Sequence, residues 1–198
     1  ESTGDKYVQI DGTLGASAVW QTRSAWDGTT IVVSEGAKAL TFKVKARNGD
    51  SVETSFGSET STNTLPSVPG ALALGTPTEN QLTVTTSASS FNNTNVATAL
   101  YAIHNTGNSQ YLQTDGSFGA SAVWRTQSGW NGTILTNLSP NTAYSLKAKA
   151  KNSASEESAF SSVTTLYTAA VAPSTPTFAN TTTTQTTFTL ASDTNTSS

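Results

Sequence analysis

One stretch of this chain occurs twice. The residues DGTLGASAVWQTRSAW at positions 11–26 return as DGSFGASAVWRTQSGW at 115–130, an offset of 104 positions in a chain of 198. The register then holds without a gap, because Tyr7 maps to Tyr111, Lys43 to Lys147, Asn48 to Asn152, Phe56 to Phe160, Pro69 to Pro173 and Gln81 to Gln185. A unit of that length is close to the common size of a domain. A chain that repeats the surface of such a unit as well as its core reads as an array, whose product is length or multivalency.

Composition narrows the class. Charged residues make up 12% of the chain and the formal net charge is −3, which offers no electrostatic footprint for a nucleic-acid partner. There is no cysteine, which excludes a disulfide framework and a thiolate metal site. There is no methionine either, and the expectation is a processed or excised piece of something longer. No apolar run approaches the roughly 18 residues that a membrane span requires.

The local pattern is that of strands. Residues 42–47 (Phe-Lys-Val-Lys-Ala-Arg), 146–151 (Leu-Lys-Ala-Lys-Ala-Lys) and 82–85 (Leu-Thr-Val-Thr) alternate apolar with polar, a period of two that buries one face and wets the other. Asp11-Gly12, Asn48-Gly49, Asp115-Gly116 and Asn131-Gly132 supply turn chemistry between such runs. No stretch sustains a helical period. Short strands separated by turns over about a hundred residues predict an antiparallel β-sandwich. In the second unit, strands are expected over 71–74, 81–87, 97–104, 110–114, 122–129, 133–137, 143–152 and 159–166. The expected core is Leu82, Val84, Tyr101, Ile103, Trp124, Leu138, Tyr144, Leu146, Ala148 and Phe160.

The segment 138–152, LSPNTAYSLKAKAKN, closely resembles the L-x-P-x-T-x-Y stretch of fibronectin type III domains and the alternating strand after it. The resemblance implies a tyrosine corner at Tyr144, its ring buried and its hydroxyl bonded to backbone upstream. Residues 159–165 are similar to the last strand of such a domain. The block around Tyr111, Asp115-Gly116 and Trp124 further resembles repeats of very large bacterial surface proteins, and both units carry it. The first unit departs from the corner motif. Ser34, Gly36, Lys38 and Leu40 stand where Leu138, Pro140, Thr142 and Tyr144 do, so its corner hydrogen bond is expected to be absent or replaced.

Candidate chemistry is sparse. His104 is the only histidine, it ends an expected strand, and no Asp or Glu stands beside it in sequence; a strand-end histidine is the better reading than a triad base. The Asp-Gly pairs lack the D-x-[DN]-x-[DN]-G pattern of a calcium loop and read as hairpin turns. The basic rows Lys43, Lys45, Arg47 and Lys147, Lys149, Lys151 read as the solvated face of one strand, with an anion-binding stripe as the sharper alternative. Trp20 and Trp26, like Trp124 and Trp130, are six apart and share a face if the strand is unbroken, either as a core pair or as an aromatic platform for sugar. Sequons begin at Asn92, Asn131, Asn137, Asn180 and Asn195, acceptors for glycans in a secreted chain. No catalytic, cofactor-binding or metal-binding residue is assigned, and no cofactor.

The frame carries the functional expectation. Residues 1–67 read as the C-terminal part of a fibronectin type III-like domain, 68–168 as a complete one, and 169–198 as the N-terminal strands of a following one. The fold class is therefore all-β: tandem Ig-like, fibronectin type III-like antiparallel β-sandwiches, one complete and two partial in a permuted frame. Two repeats need 208 positions, 198 are present, and the ten absent ones correspond to residues 95–104. A polymer made purely by strand donation would be one strand short, so a window cut from a continuous array is the simpler account. Both accounts predict a non-catalytic structural repeat of an extracellular filament, surface fibre or stalk. Its partners would be copies of itself. The rival reading is an adhesin or a carbohydrate-binding or spacer module of a larger secreted protein, with glycans or a host or cell surface as partner. Neither nucleic acid nor a membrane within this segment is expected.

Overall fold

A computed structural model of the chain describes residues 6–34, 36–86, 91–93 and 96–192. The first unit contributes β1 (Tyr7–Val8), β2 (Leu14–Gly15), a single helical turn α1 (Arg23–Trp26), β3 (Ala39–Phe42) and β4 (Thr60–Asn63). The second contributes β5 (Ala73–Gly75), β6 (Leu82–Thr85), β7 (Leu100–Asn105), β8 (Gln110–Leu112), β9 (Phe118–Gly119), a helical turn α2 (Gln127–Trp130), β10 (Thr133–Leu135), β11 (Ala143–Lys151) and β12 (Thr164–Tyr167). The remaining segment holds β13 (Thr177–Ala179) and β14 (Thr187–Thr189).

In the second unit a three-stranded sheet, β10-β6-β5, faces a five-stranded one, β12-β11-β7-β8-β9, with every pairing antiparallel. This is a closed sandwich of the fibronectin type III kind. The period of two along β11 sends Leu146, Ala148 and Ala150 into the interior and leaves Lys147, Lys149 and Lys151 outside. Leu82 and Val84 from β6, Leu135 from β10 and Tyr101 and Ile103 from β7 complete the seam between the sheets. At the far end of β11 the corner forms as the resemblance implied: the Ser139 N–H donates to the Tyr144 hydroxyl at 2.9 Å.

Three sequence expectations need correction. Residues 122–129 do not form a strand. Only Arg125 bridges to Tyr101, and then Thr126 caps α2, its hydroxyl accepting from the Gly129 N–H at 3.1 Å. The turn breaks the shared face expected of Trp124 and Trp130. Trp130 goes to the core, fully buried, with its indole Nε1 donating to the Tyr101 carbonyl at 2.7 Å, while Trp124 stays partly exposed. Phe160 is likewise only half-buried, because the last strand begins at Thr164 and not at 159. Phe91, Leu112 and Leu135 are sealed in the core, although the pattern did not single them out. The final residue of the strand expected over 81–87 and the sequon at Asn195 lie outside the described residues.

The described residues of the first unit form two separate two-stranded pairings, β1-β2 and β3-β4. Its local geometry nonetheless copies that of its twin. Gly12 and Gly116 both sit at positive φ, +82° and +84°, each so close to a backbone carbonyl, of Thr30 or Ile134, that a Cβ would stand 1.9 Å from the oxygen. Gln9 and Gln113 span the same two loop carbonyls, Tyr7 and Ser17 in one unit, Tyr111 and Ser121 in the other.

Candidate functional site

The uncovered face of the first unit is the site. Residues sealed in the second unit have twins in the first that are open to solvent: Val44 is 75% exposed where Ala148 is at 0%. Trp26, Ile31, Phe42 and Val8 are each only half-buried, where Trp130, Leu135, Leu146 and Leu112 are fully buried. The cause is plain from the topology. Trp130 is held by the Tyr101 carbonyl on β7 and clusters with Leu82 and Val84 of β6, and no described strand stands at the matching place in the first unit. The face opens on a cleft of about 1900 Å³ lined by residues from β1, α1 and β3, with 96–98 of the second unit at one margin. That exceeds the roughly 300–1,000 Å³ of an ordinary small-molecule site.

The first unit does close its own corner, by a different bond. Leu40 replaces Tyr144, so the hydroxyl is gone, but Lys38 N–H still donates to the Thr64 hydroxyl at 2.9 Å, as Thr142 N–H donates to Thr168 at 3.0 Å. The threonine latch holds the loop to the last strand in both units.

The segment after Ala169 presents the complementary feature. β13 and β14 pair as Thr177 with Thr189, Phe178 with Phe188 and Ala179 with Thr187, and β5 and β6 pair in the same register 104 positions earlier, as Ala73 with Thr85, Leu74 with Val84 and Gly75 with Thr83. Phe178 and Phe188 pack against each other at 5.6 Å between centroids, yet they remain 63% and 54% exposed, and Leu190 61%. A lone two-stranded hairpin is marginal in water. This one shows its apolar face to solvent.

A third feature is the junction between the units. The Asn93 amide clasps Ser67 from both sides, accepting from its N–H and donating to its carbonyl, each at 2.9 Å. Asn92 donates to the Val68 carbonyl and Asn152 to the Thr64 carbonyl, at 2.6 and 3.0 Å. From sequence, Asn152 is only the last residue of the strand expected over 143–152.

The residues weighed for chemistry are scattered. His104 packs against Tyr111 and Phe160, with centroids 4.9 and 5.4 Å away, and its buried Nδ1 has no hydrogen-bond partner. Burial first, and then the charges of Lys147 and Lys149, hold its imidazole below the ordinary value of 6.5. The Asp11 and Asp115 carboxylates are held below the usual range by the hydroxyl and backbone N–H of Thr13 and Ser117, the bonding of a tight turn. Among the described residues no group of three or more His, Asp or Glu is gathered that could hold a metal ion, and no helix is long and apolar enough to cross a membrane.

The basic rows lie on the outer face over aromatic rings. Lys151 sits 4.4 Å from the Trp124 ring centre and Lys147 4.2 Å from that of Phe160. In the first unit Arg47 lies 4.5 Å from Trp20 and Lys43 5.1 Å from Phe56. Lys149 pairs with Glu157 and Lys45 with Glu53. The charges are engaged within each unit, in a cation–aromatic ladder that the sequence showed only as separate rows.

Among solved structures the chain is similar to a segment of two fibronectin type III domains from chicken tenascin, at 19% identity over 66% of this chain and 65% of that one, TM-score 0.39. It is similar to the fibronectin type III domain of human fibronectin type III domain containing protein 3, at 19% identity over 54% and 88%, TM-score 0.34. It also matches a family 28 exopolygalacturonase of Yersinia enterocolitica at 16% identity and TM-score 0.39, over 53% of this chain and only 21% of the enzyme. Identity and TM-score are low in all three, and the fold described above stands on the chain's own pairings and its tyrosine corner. No protein-family model matches the chain, and no curated protein is similar to it in sequence.

Proposed function

We propose that this chain is a non-catalytic structural repeat of an extracellular filament, surface fibre or stalk in which sandwich units follow one another end to end. The observation that carries the reading is the gapless 104-residue repeat, whose two copies share their local geometry at Gly12 and Gly116 and at Gln9 and Gln113. The domain frame supports it: residues 1–67 as the back of one unit, 68–168 as a complete unit and 169–198 as the front of the next. The bonds from Asn93 to Ser67 and from Asn152 to Thr64 tie the complete unit to the one before it, as a stiff array requires.

Electron microscopy of the purified chain and of native material is the direct test, with long filaments of stacked units as the expected outcome. Compact isolated monomers in both preparations would overturn the reading. The rival, a carbohydrate-binding module, needs an aromatic platform, and Trp130 is taken up by the core. No binding on a glycan array is expected.

A further inference from the structure

The joint between the units lies in the middle of the chain, and the core of the second unit reaches into it. Residues 91–93, between β6 and β7, meet that core on one side and the linker residues 67–68 on the other. Phe91 is sealed, its ring edge-on to that of Tyr101 at 4.8 Å between centroids, and the Tyr101 hydroxyl donates to the Asn92 carbonyl. From the same three residues the Asn92 amide donates to the Val68 carbonyl, and the Asn93 amide accepts from the Ser67 N–H and donates to its carbonyl. We propose that Tyr101 is the positioning residue of the joint: its buried hydroxyl holds residues 92 and 93 where they grip the linker at Ser67 and Val68. Order in the linker is then a property of the second unit's core.

Tyr101 serves as an anchor because it is fixed along its whole length. On β7 it stands opposite Ala150 of β11. Its N–H donates to the Arg125 carbonyl at 2.7 Å, and its own carbonyl accepts from the Arg125 N–H at 3.1 Å and from the Trp130 indole at 2.7 Å. The ring is packed against Phe91, so the hydroxyl cannot shift unless the sheet does. Burial pushes the phenol up to about 12, and the hydroxyl keeps its proton, and its role as donor, throughout the neutral range.

Asn93 depends on such a hold. It stands at φ +68°, a left-handed conformation that disfavours any residue with a Cβ, and it is buried. A buried amide must find partners, and Ser67 supplies one donor and one acceptor. An apolar contact crosses the joint as well. Ala37 of the first unit is fully buried in the same cluster as Phe91 and Tyr101, and its N–H donates to the Leu65 carbonyl at 3.0 Å, two residues before Ser67. Asn152 holds Thr64 from the end of β11, a separate route that does not include Tyr101.

Amide hydrogen exchange of the full chain, resolved at Ser67, is the test, because that N–H is the one given to Asn93. Tyr101→Phe keeps the ring and removes the hydroxyl, and is expected to speed exchange at Ser67 roughly five- to tenfold. Asn93→Ala is expected to speed it at least as much, and the double variant no more than Asn93→Ala alone, because the hydroxyl acts on Ser67 through Asn93. Trp130→Phe is the control. It removes the indole bond to the Tyr101 carbonyl and is expected to lower the thermal midpoint of the second unit while leaving exchange at Ser67 unchanged. Unchanged exchange in Tyr101→Phe, multiplying effects in the double variant, or equal acceleration by Trp130→Phe would each overturn the role of Tyr101. Every residue involved belongs to one chain, so this result and that of the microscopy stand or fall separately.

Discussion

At the residue scale the twin tryptophans separate what a side chain is from where it stands. Trp130 is sealed and hydrogen-bonded to Tyr101, and Trp130→Ala is expected to destabilise the second unit by roughly 3–5 kcal/mol. Trp26→Ala, the same deletion on the open face, is expected to change the stability of the isolated chain by about 1 kcal/mol or less. Urea unfolding followed by circular dichroism compares the two, and similar losses would contradict the open face. His104 gives a second test. Its folded-state pKa is lowered, so on acidification the unfolded chain takes up the proton first, and stability falls as pH drops from about 6.5 to the lowered value, then levels. The side chains facing it are Tyr111 and Phe160, with Lys147 and Lys149 close enough to matter. His104→Phe is expected to flatten the unfolding midpoint across that window. The Asp11 and Asp115 carboxylates are lowered from 3.8, so their contribution is present above that pH and is lost as pH falls below it.

At the scale of elements, the strands that alternated cleanly were legible and the segment around α2 was not. The runs 82–85, 143–151 and 110–112 each place one face inward, and a period of two is all that a half-buried strand needs to announce itself. Residues 122–129 carried Ala, Val and Trp and looked like another strand. The Thr126 cap was the signal that opposed it, a weak one in a chain so rich in threonine. Gly116→Ala is the sharpest test of an element: positive φ and a backbone oxygen 1.9 Å from the new Cβ predict a loss of about 1–3 kcal/mol, read from the thermal midpoint. Tyr144→Phe removes only the hydroxyl that accepts from Ser139, and a loss of about 1 kcal/mol is expected.

At the scale of the whole molecule, units in a chain behave as an array only if their junctions are stiff. The clasp of Asn93 on Ser67, with the Asn92 and Asn152 bonds beside it, is a set of neutral hydrogen bonds worth about 1 kcal/mol each. Asn93→Ala is expected to leave the second unit folded and to loosen the joint. Amide exchange at Ser67 reports it, and unchanged protection there would contradict the role. Stability is also expected to be uneven, with β13 and β14 exchanging far faster than β11 because nothing in the isolated chain covers their apolar face.

Periodicity, turn residues and a gapless internal repeat depend on the order of amino acids alone, so the antiparallel sandwich was legible in the chain, and the resemblance of residues 138–152 implied the corner at Tyr144. Burial depends on what arrives from elsewhere. That Trp130 is core while Trp26 is open, that Lys151 lies on Trp124, and that Asn152 grips the preceding unit through Thr64 all follow from contacts between residues far apart in sequence. Closely similar local patterns end in different environments because β6 and β7 pack beside one unit and no described strand packs at the matching face of the other.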